Sequence, residues 1–426
     1  MNHGGGAEHD SNLGQANEVW PVAVVGAGAA GLLAALFAAR AGARVLLLET
    51  RPRPGAKIRV SGGGRCNVLP SAMQLEDFHT SGSMHTLRNI LFSWPLAAVR
   101  AFFEDDLGVP LKREDTGKLF PVSERPQDVV DALLAACGRA GVVLRGGWRV
   151  ARVSRVADAG GARFDVESAA GERIRCARLV LATGGLSLPK TGSDGAGLAF
   201  ASALGVGTVP TYPALVPLRT ADRRWKALAG IAVPARLTAR RGARILEVRE
   251  RPLLVTHRGW SGPVVLDMSR HVTAPDCEDV ALHVRWGGDA TPDWDATLRA
   301  TPRGLVATCL RVHLPVRLAD LLLELAEIPP AQRVHELDRV SRLRLVTVLD
   351  DYALPRSGDE GYATAEVTGG GVALDAVAPR TLECRAVPGL HVAGEMLDVV
   401  GRIGGYNFLW AFVTGRKAGA AAREGW

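Results

Sequence analysis

The chain has 426 residues, 47% of them apolar and 22% charged, with a net charge of +7 at neutral pH. That length exceeds what a single hydrophobic core organises, so two or three domains are expected, and the composition excludes a disordered or fibrous protein. The basic balance, with a pI near 9.3, favours contact with a polyanion without requiring one.

Residues 1–18 are polar and Gly-rich and lack the basic start and apolar core of a signal peptide, so they read as a disordered tail. Residues 22–48 are apolar enough to suggest a membrane span, but glycines, Arg40 and Arg44 interrupt them. A strand, a helix over 32–41 stopped by Gly42, and a second strand over 44–48 fit better. Gly26-x-Gly28-x-x-Gly31 sits at the strand-to-helix junction, the context that a dinucleotide fingerprint requires. Gly26 permits the turn, Gly28 lets backbone approach a pyrophosphate, with Ala29 and Ala30 beside it, and Gly31 allows close helix packing. The helix N-terminus then faces the phosphates. Glu49 ends the second strand where an acid accepts hydrogen bonds from ribose hydroxyls, and it disfavours a 2′-phosphate. At this point FAD and NAD both remain open.

Lys57, Ser61, Gly62, Gly63, Gly64, Arg65, Cys66 and Asn67 then form a segment suited to backbone pressed against a ligand, or equally to a surface loop. A helix is expected over 128–140, a strand over 142–144, and a hairpin of 148–156 with 163–167 joined by Gly160-Gly161. Residues 178–185 read as a buried strand ending in a glycine turn, with Ala182, Thr183 and Gly184 at the cofactor edge. From about 208 the pattern changes to short β-branched segments, including 231–237 and 253–256, and 305–349 is mostly helical, most clearly over 318–326. The first fold resumes near 358. A strand over 390–393 leads into Gly394 and Glu395, and Gly404, Gly405, Tyr406 and Asn407 precede a last helix over 409–423. Glycines at a helix start make a second anion site, which in a flavoprotein faces the ring region where negative charge collects on reduction. This second site favours FAD over NAD.

Cys66, Cys137, Cys176, Cys277, Cys309 and Cys384 show neither a C-x-x-C pair nor metal-ligand spacing. That predicts no metal site and a reducing, cytoplasmic setting. The run Gly192-Ser193-Asp194-Gly195-Ala196-Gly197 lacks a clean preceding strand, so NAD(P)H is expected only as a transient reductant over the flavin.

The chain resembles the BaiN/RdsA-type flavoproteins, which include a bile-acid C=C reductase and a ribosomal RNA dihydrouridine synthase. The matching words span most of the chain. They include Ser61-Gly62-Gly63-Gly64-Arg65-Cys66-Asn67, Thr256-His257-Arg258-Gly259-Trp260-Ser261-Gly262-Pro263, Val367-Thr368-Gly369-Gly370-Gly371-Val372 and Gly404-Gly405-Tyr406-Asn407-Phe408. Ala56, Val206 and Leu409 depart from it, standing where the family often has arginine, histidine and glutamine. The resemblance implies an α/β fold: a Rossmann-type, glutathione-reductase-like FAD-binding domain formed from both chain ends (19–207 and 358–426). It also implies an inserted β-rich domain (208–272 and 346–357) and a helical, lid-like insertion (273–345).

The expected activity is FAD-dependent reduction of a conjugated C=C bond, with Cys66, His257 and Tyr406 as candidate proton donors. Two substrate classes stay open. One is uridine in 23S ribosomal RNA, held by the basic stretch 219–258; the other is a small molecule in an apolar pocket, reduced as an enone or oxidised as an amine. A flavin-binding redox sensor without turnover is the reading from another class. No membrane partner is expected.

Overall fold

The computed structural model describes residues 19–159 and 162–423, so the tail expectation for 1–18 and the Gly160-Gly161 turn lie outside the described residues. Strand Val19–Val25 pairs in parallel with Val45–Glu49 on one side and Arg173–Leu181 on the other. Val143–Gly146 and Leu390–Val392 extend the parallel sheet outward. Val22 to Val25 are all buried, as strands covered on both faces must be. The predicted hairpin is present as Val150–Ala159 and Ala162–Ser168, antiparallel to the start of Arg173–Leu181. This is the Rossmann-type α/β arrangement that the glycine loop and strand pattern predicted.

Helix Ala29–Arg40 lies against the C-terminal helix Tyr406–Ala422. The contact is close because a β-carbon at Gly415 would fall 2.3 Å from the Ala30 carbonyl oxygen, and one at Gly419 would fall 2.1 Å from that of Ala34. Small residues four apart on both helices thus bring the two chain ends together.

The chain leaves this sheet through Thr208–Ala214 and returns through Val367–Val372, and the two segments pair antiparallel. Between them lies a seven-stranded antiparallel sheet, in the order Tyr352–Ala353, Val280–Trp286, Ala232–Arg241, Arg244–Val255, Gly259–Ser261, Leu218–Arg219, Gly358–Asp359. Its core contains the buried Trp225, Trp260 and Trp286, with Trp225 stacked on Trp286 at 5.2 Å and 17°. Helices Trp294–Ala300, Val306–Arg311, Val316–Leu325 and Arg339–Asp350 share that core.

The basic stretch 219–258 is far less open than its composition implied. Arg224 pairs with Asp222, Arg236 with Asp289, Arg240 with Asp351, Arg241 with Asp279 and Arg258 with Glu360. Arg249 and Arg251 turn toward Glu247 and Asp267. The acids come from the turns, loops and helix ends around the sheet, with Asp267 on helix Pro263–Thr273 and Glu247 on the same strand as Arg249, and they offset much of the field that a phosphate backbone would meet. Among the described residues no helix is long and apolar enough to cross a membrane, and no group of His, Cys, Asp and Glu is placed to hold a metal ion.

Candidate functional site

The three glycines of the first turn have separable geometric roles. Gly26 takes φ +99°, and a β-carbon there would lie 2.6 Å from the Ala182 carbonyl oxygen. A β-carbon on Gly31 would lie 1.7 Å from the Gly26 oxygen, whereas one on Gly28 would meet nothing within 4 Å. Gly28 begins helix Ala29–Arg40 without a side-chain cap, so the first-turn N–H groups are left for a ligand. The Glu49 carboxylate accepts hydrogen bonds from the backbone N–H groups of Ala27 at 2.7 Å and Arg51 at 2.8 Å. Each oxygen keeps a lone pair for a hydroxyl donor.

After the left-handed Gly55 the chain forms helix Ala56–Gly64, broken at Ser61, Gly62 and Gly63. Gly62, Gly63 and Gly64 are all left-handed, and a β-carbon at Gly62 would strike Asn67 N at 2.7 Å and the Phe120 ring at 2.9 Å. This crowding explains the need for glycine at 62. The Asn67 amide, oriented to satisfy both its atoms, accepts from Gly405 N at 3.0 Å and donates to the Leu69 oxygen at 3.2 Å. It therefore ties this segment to the start of the last helix. Asn407 fastens the other side of that start, accepting from Gly401 N and donating to the Gly401 oxygen, both at 2.8 Å.

These elements surround one cavity of about 460 Å³, a volume in the range of cofactor sites. Its wall brings together Gly26, Gly28, Ala29, Ala30 and Glu49 from the first turn with Lys57, Ser61, Gly62, Gly63 and Asn67 from the second segment. Ala182, Thr183 and Gly184 join them, as do Glu395, Gly404, Gly405 and Asn407 from the far end of the chain. Lys57 Nζ donates to Glu395 Oε2 at 2.5 Å and to Ser187 Oγ, buried behind the wall, at 2.6 Å, and Ser187 Oγ donates to Glu395 Oε1 at 2.6 Å. The Thr368 N–H also reaches Glu395 Oε1, at 3.1 Å.

Six expected site residues do not line the cavity. Gly31 and Gly394 are packing positions, and the N–H of Gly394 is held by Thr414 Oγ1 at 2.9 Å. Gly64 faces open space and Arg65 lies over the Phe120 ring while pairing with Glu114. Cys66 is 2% exposed, packed in the first core, and burial pushes its thiol up to about 12. Tyr406 packs edge-on against Phe78 at 5.7 Å, and burial raises its hydroxyl further from neutrality.

His257 lies apart from the cavity. It is exposed in the turn between Arg244–Val255 and Gly259–Ser261 and does not line the cavity. No residue of 273–345 lines the cavity either, so those helices do not roof it in this structure. Leu409 is fully buried in the first core, which accounts for the apolar side chain there. The motifs gave no sign of Lys118, Thr364, Glu366 and Ile403, all of which line the cavity from loops or short strands.

The cavity end opposite Glu49 abuts a polar seam with the second sheet. Asp267, 6% exposed on helix Pro263–Thr273, accepts from Ile403 N at 2.8 Å. Burial pushes its carboxyl up to about 6, against the pull of that N–H and of Arg251. Nearby, burial alone would raise Glu247, but the hydrogen bond from His271 and the charges of Arg270 and Arg249 hold it at about 2. Burial, helped by Arg270, lowers His79 to about 4.

The raised Asp267 value has a definite sign. The fold favours the protonated acid, so ionisation costs stability as pH rises from about 4, and the full cost is present above about 6. Two units correspond to about 3 kcal/mol. Asp267→Asn, which keeps the acceptor for Ile403, is expected to be more stable than wild type by up to about 3 kcal/mol at neutral pH. The gain should vanish toward pH 4, and urea melts across that range read it directly. A variant less stable than wild type at every pH would contradict this.

Three kinds of comparison place the chain among known proteins. It is 36% identical over 401 residues to a ribosomal RNA dihydrouridine synthase of Escherichia coli, covering 91% of this chain and 94% of that one. It is 32% identical over 414 residues to the 3-dehydro-bile acid delta(4,6)-reductase of Clostridium scindens, covering 95% and 99%. Among solved structures, the 3-ketosteroid-delta4-(5alpha)-dehydrogenase of Rhodococcus jostii aligns with a TM-score of 0.49 at 17% identity, over 98% of this chain and 99% of that one. The sequence matches the HI0933-like protein Rossmann domain family over residues 20–421, and the chain belongs to that family.

Proposed function

We propose that this protein is an FAD-dependent oxidoreductase that reduces a conjugated C=C bond, with uridine of 23S ribosomal RNA as its substrate and dihydrouridine as product. The observation that carries the flavin reading is the construction of the cavity from both chain ends. A ribose-accepting carboxylate, Glu49, and an uncapped helix start stand at one end, and a second glycine-led helix start at Gly404 and Gly405 stands at the other.

The chain's groups fit FAD. The missing β-carbon of Gly28 leaves room for a pyrophosphate, and Asn67, Gly404 and Gly405 form a backbone edge where a ring system would lie. Bound FAD, once reduced, supplies a hydride equivalent to an electron-poor alkene carbon. Lys57, Glu395 and Ser187 form a fixed polar wall beside it. NAD(P)H, docking transiently, is the proposed reductant.

The RNA substrate is favoured by the identity, over 91% of the chain, to a protein named as a ribosomal RNA dihydrouridine synthase. Nucleoside mass spectrometry of 23S RNA from strains with and without the gene tests it. Dihydrouridine should disappear in the deletion strain and return with the gene, and an unchanged level refutes the RNA substrate. One structural observation favours a small-molecule enone instead: the arginines of 219–258 are largely paired within the second sheet. Reduction of a soluble enone with no change in ribosomal dihydrouridine would select that reading.

A further inference from the structure

We infer that Glu366 is the proton donor of the reaction, a conclusion that rests on the reductase reading above. Among the described residues three carboxylates line the cavity: Glu49, Glu366 and Glu395. Two are committed. Glu49 holds the backbone N–H groups of Ala27 and Arg51, and Glu395 is engaged by Lys57, Ser187 and the N–H of Thr368. Glu366 differs. Its backbone is fixed, with N–H donating to the Leu215 oxygen at 3.2 Å and carbonyl accepting from Ser187 Oγ at 3.3 Å, but among the described residues no hydrogen bond or ion pair engages its carboxylate. The side chain is solvent-accessible and lines the cavity.

Its position along the cavity matters as much. Glu366 precedes Val367, which shares a small apolar cluster with Leu215, Val400 and Ile403 at the seam between the two sheets. Lys118, whose side chain runs within 3.8 Å of a β-carbon position at Gly404, lies close enough to act on its charge. The carboxyl therefore shares its part of the wall with Lys118, Ile403 and Gly404, the side on which the second glycine-led helix start would hold the ring of the cofactor. Burial within the cleft, helped by the charge of Asp267, raises its pKa above the usual carboxylate range, against the pull of Lys118 and Lys57. This favours the protonated form that an acid catalyst needs.

The step balances. Bound reduced flavin would supply the hydride equivalent to the alkene carbon β to the carbonyl, C6 of uridine, and Glu366 would give its proton to the neighbouring carbon C5. The carboxyl O–H bond breaks as the C–H bond forms, and the carboxylate then recovers a proton from water.

The test uses holoenzyme with Glu366→Gln and Glu366→Asp. Each is photoreduced without air and mixed with unmodified 23S transcript and, separately, with cyclohexenone. The glutamine variant should retain its flavin yet be reoxidised about 100-fold more slowly, and aspartate should restore part of the rate. The wild-type rate should fall as pH rises through the carboxyl's titration, and the glutamine profile should be flat. Independently of turnover, the absorption band of the oxidised wild-type flavin should shift with pH as the carboxyl titrates, and that of Glu366→Gln should not. Wild-type reoxidation rates together with an unaltered spectral titration in Glu366→Gln overturn the assignment. If wild type passes electrons to neither acceptor, the reductase reading falls, and the spectral titration alone decides whether Glu366 is the titrating group facing the flavin.

Discussion

Gly31→Ala is expected to yield a protein that holds no flavin and unfolds well below wild type. A β-carbon there would sit 1.7 Å from the Gly26 carbonyl oxygen and 2.9 Å from its carbon, and both are backbone atoms of the turn itself. No side chain can rotate away, so helix Ala29–Arg40 must move off the strand that precedes it. Overpacking that only backbone movement can relieve costs about 3 kcal/mol or more. The same movement would draw the helix start away from the cavity. Gly28→Ala provides the contrast. Its β-carbon meets no protein atom within 4 Å and its φ of −83° suits alanine, so the apoprotein should melt within about 1 kcal/mol of wild type. Its flavin content should nevertheless collapse, because the added methyl occupies the approach of the pyrophosphate. Thermal melts of the apoproteins and flavin stoichiometry of the purified proteins separate the two effects. Equal stability of the two variants would show that Gly31 is not the tight contact described.

Glu395→Leu should be nearly as damaging, for an electrostatic reason. Glu395 is 16% exposed and Lys57 22%, so removing the carboxylate strands an ammonium group, together with Ser187 and the Thr368 N–H, in the cavity wall. Breaking a fully buried pair costs about 3–5 kcal/mol; residual solvent access lowers the expected loss here to about 1–3 kcal/mol. Flavin affinity should fall by about tenfold to a hundredfold, the equivalent of 1.4 to 2.8 kcal/mol. The double variant Lys57→Met with Glu395→Leu removes both charges, and it should recover part of the stability but none of the affinity. Urea unfolding and flavin titration of the four proteins form a complete cycle. Additive stability losses would mean that the pair is not coupled.

Sequence and structure agree where local geometry decides the outcome. Periodicity located the first strand, helix and strand and the hairpin of Val150–Ala159 with Ala162–Ser168, because buried parallel strands and alternating hairpins leave one-dimensional patterns. The second sheet was less legible. Ala232–Arg241 and Arg244–Val255 extend well beyond the short segments expected, since outward Arg236 and Arg240, and Arg249 and Arg251 facing the polar seam, break the apolar runs. Their charge looked like a polyanion surface until the tertiary fold set acids beside them.

By itself, the sequence determined the glycine turn, Glu49, the Ser61 to Asn67 segment and the final glycine-led helix, because each depends on residue type at fixed spacing within one stretch of backbone. Only the tertiary structure decided which polar side chains share the cavity. Lys57 and Glu395 meet across 338 positions, and Ser187 joins them from a third segment. Glu366 enters the wall on a loop that carries no motif for it, whereas Cys66, Tyr406 and His257 stay out of the cavity lining through burial, ring packing and exposure. Protonation and pairing depend on what lies within a few ångströms, and that neighbourhood is set by chain reversal through Thr208–Ala214 and Val367–Val372 rather than by order along the chain.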